Sequence, residues 1–255
     1  MLQDLTATPV DRVERAVFTQ TWADLAMLHW PVDPDRVAPL LPTGTEPDVH
    51  DGATWVGLIP FSMRGVGILG TPPAPYVSRF AETNVRLYAV DRHGRRGVVF
   101  RSLEASRLLP VLAARVAYRL PYCWSSMRVE RDGDVWTWTT RRRWPGPDGS
   151  LASTRPTLAA DGPQSRIRLE VGDSLDGSSG LPLFLTARWG LFSRWYGRTA
   201  YAPVDHDAWQ LRSARLLELS DDLVAAAGLP VQGPAPSVLF SPGVQVRIGR
   251  PRPLN

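Results

Sequence analysis

The sequence predicts an α+β fold in which β-structure dominates, with antiparallel sheets packed together or closed into a barrel and a few short flanking helices. Three observations predict it. Glycine and proline, at 21 and 24 copies, punctuate the whole chain, a density that favours many short strands over long helices. Two segments alternate strictly across a turn, as hairpins do. Segments of helical character are few.

Taken in order, Trp22 to Val32 is an apolar run that reads as a buried strand. Pro34 to Leu41 reads as a short helix, with Asp33 at its N-cap, Pro34 at its first position and Pro42 ending it. Ala53 to Met63 is a second apolar strand, and Gly65 to Pro75 a Gly/Pro-rich loop. Thr83 to Val90 puts Val85, Leu87 and Ala89 on one face and Asn84, Arg86 and Tyr88 on the other. The turn Arg92-His93-Gly94-Arg95 leads into a return strand from Gly97 to Ala105. Arg107 to Tyr118 reads as a helix. A second hairpin joins Met127–Arg131 to Val135–Arg142 around Asp132-Gly133-Asp134. Leu151 to Gln164 reads as a surface loop and Arg166 to Val171 as a strand. Leu181 to Tyr196 reads as an aromatic-rich helix capped by Ser179, and Ala208 to Leu217 as a strand. A short helix follows at Asp221 to Ala227, with Ser220 as N-cap and Gly228 beyond its end. Ser237 to Ile248 is a last strand, or a hairpin around Ser241-Pro242-Gly243.

No composition shift marks a boundary, so residues 1–255 are expected to form one domain. No stretch approaches the roughly 20 apolar residues that span a bilayer. Met1 to Val10 has neither a basic nor an apolar leader region. The single cysteine, Cys123, lies in Pro121-Tyr122-Cys123-Trp124 with no basic neighbour, and reads as a buried, inert thiol. Together these point to a cytoplasmic protein. All 29 basic residues are arginine. An imine needs a deprotonatable side-chain amine, and guanidinium cannot supply one. Lysine-bound pyridoxal phosphate, class I aldolase chemistry and a Walker-type lysine are therefore excluded for this chain. The basic run Arg141-Arg142-Arg143 reads as a solvated strand end, and neither a nucleic-acid nor a membrane partner is expected.

Gly65-Val66-Gly67-Ile68-Leu69-Gly70 spells GxGxxG, but glycines and prolines follow where a helix is required, so it reads as a loop. Of four histidines, His93 sits in a turn and His50 near a strand end beside Asp48 and Asp51. His29, inside an apolar strand, reads as a hydrogen-bonded core residue. His206 lies in Asp205-His206-Asp207; the carboxylates would raise its pKa and fit an acid or base, and an exposed acidic loop explains the same letters. No spacing supports a metal centre built from His29 and His206, so neither a metal nor a cofactor is expected. Trp189, Phe192 and Tyr196 fall at helical spacing, which fits core packing; with Trp195 and Tyr201 they also fit a homo-oligomer interface.

The polar set on the first hairpin carries most of the functional signal. Glu82, Asn84 and Arg86 project from one face. They lie near either Arg101 or the pair Ser102 and Glu104, depending on pairing. An outward face makes them ordinary surface residues; an inward face makes them buried charges that must be paired or functional.

Several segments resemble the YqjF-like family of domain-of-unknown-function proteins: His29–Pro42 (HWPVDPDRVAPLLP), Trp55–Val66 (WVGLIPFSMRGV), Ser78–Asp91 (SRFAETNVRLYAVD), Gly97–Arg107 (GVVFRSLEASR), Leu120–Tyr122 (LPY) and Leu239–Pro251 (LFSPGVQVRIGRP). They run in order along nearly the whole chain. The resemblance implies an acetoacetate-decarboxylase-like fold: an antiparallel barrel around a closed cavity, lined by a hairpin carrying a glutamate and, on the next strand, a lysine nucleophile. By position Glu82 looks like that glutamate. The lysine's place falls within Arg101 to Glu104, where no lysine stands, so Schiff-base decarboxylation is excluded. Relatives of the fold carry out aldol-type, dehydration and hydration reactions. The expected function is binding of a small organic acid or carbonyl compound, with lysine-independent lyase, hydratase or cyclase chemistry of secondary metabolism; the alternative is a non-catalytic binding or sensing module. Glu82, Glu104 and His206 are the expected catalytic residues. Arg86, Arg101, Asn84, His29 and Ser102 are the expected ligand contacts.

Overall fold

The computed structural model describes residues 2–9, 12–68, 70, 78–107, 120–144, 162–195 and 197–254. Among them, thirteen strands form one continuous sheet: β1 Phe18–Val32, β2 Thr45–Pro47, β3 Thr54–Ile68, β4 Arg79–Asp91, β5 Arg96–Ala105, β6 Tyr122–Asp132, β7 Val135–Trp144, β8 Gln164–Ser174, β9 Gly190–Trp195, β10 Arg198–His206, β11 Arg212–Asp221, β12 Ser237–Ile248 and β13 Arg252–Pro253. The helices are short: α1 Pro34–Val37, extended by a single 3-10 turn Ala38–Leu40, α2 Gly180–Thr186 and α3 Leu223–Ala226. The predicted β-dominant α+β class holds.

The sheet closes because two strands fork. One edge of β5 meets two partners, both parallel: its first half pairs with β9 at Val98 and Val99, its last residues with β6 at Leu103 to Ala105. β12 forks similarly, meeting β11 at Leu239 and Phe240 and β10 at Val246 to Ile248. Strands β4, β3 and β1 join β5 to β12. The result is a nine-strand ring through β6, β7, β8 and β11, and a seven-strand ring through β9 and β10. The five strands from β5 to β12 serve as a common wall.

That wall is buried on both faces, and β4 shows why its alternation does not mark an outer surface. Thr83, Val85, Leu87 and Ala89 face the nine-strand ring; Glu82, Asn84, Arg86 and Tyr88 face the seven-strand ring, and all are buried. The nine-strand ring is filled by apolar side chains, among them Val85, Leu87, Trp138, Ile167, Leu169 and Phe240, and α3 closes one end with Leu223 and Val224. Removing side chains of this size from water stabilises by about 1.5–3 kcal/mol each.

Several local expectations are corrected. The helix expected over Leu181–Tyr196 stops at Thr186, where α2 ends, and Ser179 makes no side-chain cap bond. After a link over residues 187–189, the stretch up to Trp195 is the strand β9, where Gly190 lets Tyr201 of β10 lie across it: a Cβ there would sit 2.2 Å from the Tyr201 ring. His206 ends strand β10 and is buried, not in an exposed loop. β3 continues through Gly65 to Ile68, where a loop was expected. At α3 the N-cap position is Asp222, not Ser220. Ser237–Ile248 is one strand with no turn, its Gly243 (φ +136°) admitting the β1 backbone at Trp22. Arg141 to Arg143 is not a uniformly solvated end, since Arg142 is buried. The first turn holds as expected, with Asp33 accepting from the Asp35 N–H at 2.9 Å. The expected helix at Arg107–Tyr118, apart from Arg107 itself, and most of the loop over 151–164 lie outside the described residues.

Candidate functional site

Inside the seven-strand ring lies a chamber of about 70 Å³. This is far below the roughly 300 Å³ at which pockets for drug-sized ligands begin. β1 contributes Trp22 and Leu25, β3 Ile59, Phe61 and Met63, and β4 Glu82, Asn84 and Arg86. Trp22 and Leu25 both reach inward; between them Asp24 sits at φ +54° and is held by an ion pair to Arg64, where the pairing with β3 shifts register between Ala23 and Leu28. Arg188 enters from the link between α2 and β9, Tyr122 from β6 and His206 from the end of β10.

Glu82 is 2% exposed and accepts one hydrogen bond, from the Tyr122 hydroxyl to Oε2 at 3.0 Å. Burial without a cation raises its pKa to about 8, against which the Tyr122 bond works weakly. At neutral pH the carboxyl therefore holds its proton. With Oε2 occupied as an acceptor, Oε1 is the oxygen free to carry that proton.

Arg86 is the chamber's counter-pole. Its Nε donates to the Tyr88 hydroxyl at 3.1 Å and its Nη2 to the Leu185 carbonyl at 3.2 Å. Among the described residues it has no carboxylate partner. Gly57 makes room for it, since a Cβ there would lie 3.3 Å from Arg86 Cγ and 3.0 Å from the His29 ring. Arg188 pairs with Asp48 and donates to the Phe184 carbonyl at 2.6 Å. Asp48 also receives Arg96 at 2.6 and 2.8 Å. Arg188 thus shares Asp48 with Arg96 and Arg86 has no carboxylate, so with Glu82 neutral the two guanidinium groups lining the chamber leave it a surplus of positive charge.

His206 Nδ1 lies 2.7 Å from the Asp207 carbonyl, which can only accept. Nδ1 therefore carries the proton and Nε2 the lone pair. Burial, helped by Arg86, drives its pKa down to about 4, outweighing the carboxylates expected to raise it. Asp205 is tied to Arg12 and the Val13 N–H, and the Asp207 side chain is 81% exposed. Asn84 Oδ1 is buried with no partner among the described residues.

Of the sequence-predicted residues, the chamber thus collects Glu82, Asn84, Arg86 and His206. It does not collect Glu104, Ser102, Arg101 or His29. Glu104 faces the nine-strand ring, where Arg142 Nε donates to both its oxygens at 3.1 Å and Ser125 to Oε2 at 2.7 Å. Ser102 shares that side of the wall. Arg101 is the extra residue of a bulge: Arg86 pairs with Phe100 and Val85 with Ser102. It turns away to donate to the Ala227 and Leu40 carbonyls. Within Arg101 to Glu104, only Leu103 lines the chamber. His29 stands behind Arg86 as a core residue, its Nε2 2.8 Å from the Tyr88 hydroxyl, and burial with Arg86 and Arg188 pushes its pKa well down. Sequence reasoning missed Tyr122 and Arg188. The signal for Arg188 was a lone cation inside the otherwise apolar run Leu181 to Leu191. Among the described residues no three His, Cys, Asp or Glu side chains are grouped to hold a metal ion.

The closed β-barrel around a chamber is an acetoacetate-decarboxylase-like fold, here with a glutamate and an arginine buried in the chamber and without a lysine in the chain. Solved structures bear this out. The enduracididine biosynthesis enzyme MppR complexed with pyruvate matches at a TM-score of 0.62 and 14% identity, over 93% of this chain and 90% of that one. Acetoacetate decarboxylase from Legionella pneumophila matches at 0.62 and 10%, over 95% and 90%. The chain belongs to the DUF2071 family, described as an uncharacterised conserved protein, whose profile covers residues 19–245. The uncharacterised protein YqjF of Bacillus subtilis is 31% identical over 211 residues, 83% of this chain and 81% of that protein.

Proposed function

We propose that the chamber binds a short organic acid or carbonyl compound and promotes acid–base chemistry on it without a covalent imine. The observation that carries this reading is Arg86, a buried guanidinium facing a chamber with no carboxylate partner among the described residues. A ligand carboxylate supplies the missing charge and takes up the two-pronged geometry that guanidinium offers. Glu82 Oε1–H then donates to a carbonyl oxygen of the ligand, and Asn84 Oδ1 accepts from a ligand hydroxyl or N–H. With Glu82 as acid and His206 Nε2 as base, the step is enolisation. The C–H proton passes to His206, its electron pair forms the C=C bond, and the carbonyl oxygen takes the Glu82 proton. A lyase or hydratase of this type proceeds through that enol.

The fold supports the size and chemistry of the ligand by likeness, since MppR is seen holding pyruvate. A second reading, capture without turnover, draws on Leu103, which puts an aliphatic side chain on the strand where a nucleophile would stand. Calorimetric titration with two- to four-carbon acids and 2-oxo acids tests the binding. Arg86→Gln is expected to weaken it at least about tenfold, or 1.4 kcal/mol, and unchanged affinity would refute the anion clamp. NMR-detected deuterium exchange at the carbon beside the carbonyl separates the two readings. Exchange that Glu82→Gln abolishes while binding persists marks an enzyme; binding without exchange marks a sensor.

A further inference from the structure

The chamber is small, yet it is not isolated. A second cavity of about 370 Å³ opens to the surface beside it, lined by Ser174, Asp176, Ser178, Leu183, Gln210 and Leu211 among others. The two share two residues, Thr186 and Trp209. Thr186 is fixed as the last residue of α2. Trp209 is the side chain between the two spaces.

Trp209 is placed as a partition, packed against two apolar clusters at once and partly open to the outside. It lies in residues 207–211, which join β10 to β11 and belong to no strand. Its neighbours Ala208 and Gln210 are exposed, and Trp209 itself is partly so. Three side-chain contacts seat it: the indole N–H donates to the Thr186 carbonyl at 3.2 Å, the ring stacks on Trp22 at 6.2 Å, and it tilts against His206 at 4.9 Å. Trp22 and His206 both line the chamber, so the indole packs on the chamber's own wall. Segments with few ladder bonds and exposed backbone open at the lowest free energy.

We propose that the Trp209 indole sets the size of ligand the site accepts, by closing the inner chamber against the outer cavity. With Trp209 seated, the site takes the acid head alone. With Trp209 removed or swung out, chamber and outer cavity join into one pocket several times larger, and acids carrying a longer or aromatic tail fit. This rests on the proposed carboxylate chamber, and the test keeps the two ideas apart by using a neutral series beside the charged one.

The experiment titrates straight-chain carboxylates from acetate to octanoate, and methyl ketones from propanone to 2-octanone, into the wild type, Trp209→Ala and Trp209→Leu. Trp209→Phe, which keeps a ring of similar thickness, is the conservative variant. For the wild type and Trp209→Phe, affinity is expected to fall at least about tenfold beyond the four-carbon members. For Trp209→Ala and Trp209→Leu the fall moves to longer chains in both series. Should Trp209→Ala fail to fold, Trp209→Leu reads the same quantity. The same length limit in all four proteins would overturn the partition. If the limit moves but ketones bind as well as carboxylates, the partition stands and the anion clamp fails. Absence of binding in both series by every protein overturns both.

Discussion

Glu82 and Glu104 stand on neighbouring strands of one hairpin, on opposite faces of one wall, and both are buried. Their surroundings differ in one respect. Glu104 looks into the nine-strand ring, where Arg142 and Ser125 supply its hydrogen bonds and its counter-charge. Glu82 looks into the seven-strand ring, where among the described residues a single phenol meets it, and Arg86, which also lines the chamber, is bonded elsewhere. A buried ion pair with its hydrogen bonds complete holds a structure together. A buried carboxyl and a buried cation left unpaired around a cavity are poised for something not yet there. Burial of charge alone does not tell the two apart; their hydrogen-bond and ion-pair partners do.

The comparison breaks most visibly on the paired side. Arg142→Ala leaves the Glu104 charge in the core without its cation and is expected to cost about 3–5 kcal/mol of unfolding free energy, read by chemical denaturation. Little loss would mean that Glu104 is reached by water and that the two glutamates are less different than their contacts imply.

On the unpaired side the signature is pH. Below about pH 4.5 Glu82 is protonated in the folded and unfolded chain alike. Between there and about pH 8 only the folded chain keeps the proton, so stability falls as pH rises, by roughly 5 kcal/mol in total. His206 works in the opposite sense. Its folded pKa of about 4 lies below the ordinary 6.5, so stability rises with pH across that window and is flat above it. The two trends oppose each other in mild acid, leaving an unopposed decline between about pH 6.5 and 8. Glu82→Gln is expected to remove that decline, raising the melting temperature at pH 9 relative to wild type and not at pH 4. Parallel curves for the two proteins would place Glu82 in contact with solvent or a cation.

A smaller effect sharpens the link between wall and chamber. Gly57→Ala pushes a methyl group to 3.0 Å from His29 and 3.3 Å from Arg86 Cγ. Overpacking of this kind costs about 1–3 kcal/mol. It should also weaken carboxylate binding by displacing Arg86. Destabilisation with affinity unchanged would detach Arg86 from the site.

Much of this architecture was legible. The alternation of residues 83–90, the turn at 92–95 and the return strand are local signals, and β4 and β5 appear where they placed them. Which face pointed inward was not legible from alternation, because the wall is buried on both sides; only the family resemblance turned Glu82 inward. Neither Arg101 nor Glu104 could be assigned, since the bulge that ejects Arg101 is a property of pairing with β4 and leaves no mark in β5 itself. The segment after Thr186 misled for a different reason. Trp189 and Phe192 fall at a helical interval by coincidence, while the overlooked Gly190 and Gly197, the latter at φ +78°, bracket a short strand. Asp48, Tyr122 and Arg188 come from three separate segments, and only the closed ring brings Tyr122 and Arg188 to one chamber with Asp48 behind Arg188.

The account turns on Glu82 being a neutral acid in a chamber whose surplus charge is positive. The most direct measurement is its own titration: carbon-13 NMR of glutamate side-chain carboxyls, with Glu82→Gln to assign the resonance. A midpoint near pH 8 is predicted. A midpoint near 4.5 would mean that Glu82 is ionised at neutral pH and paired with a cation, and the acid–base chamber would be a second structural ion pair.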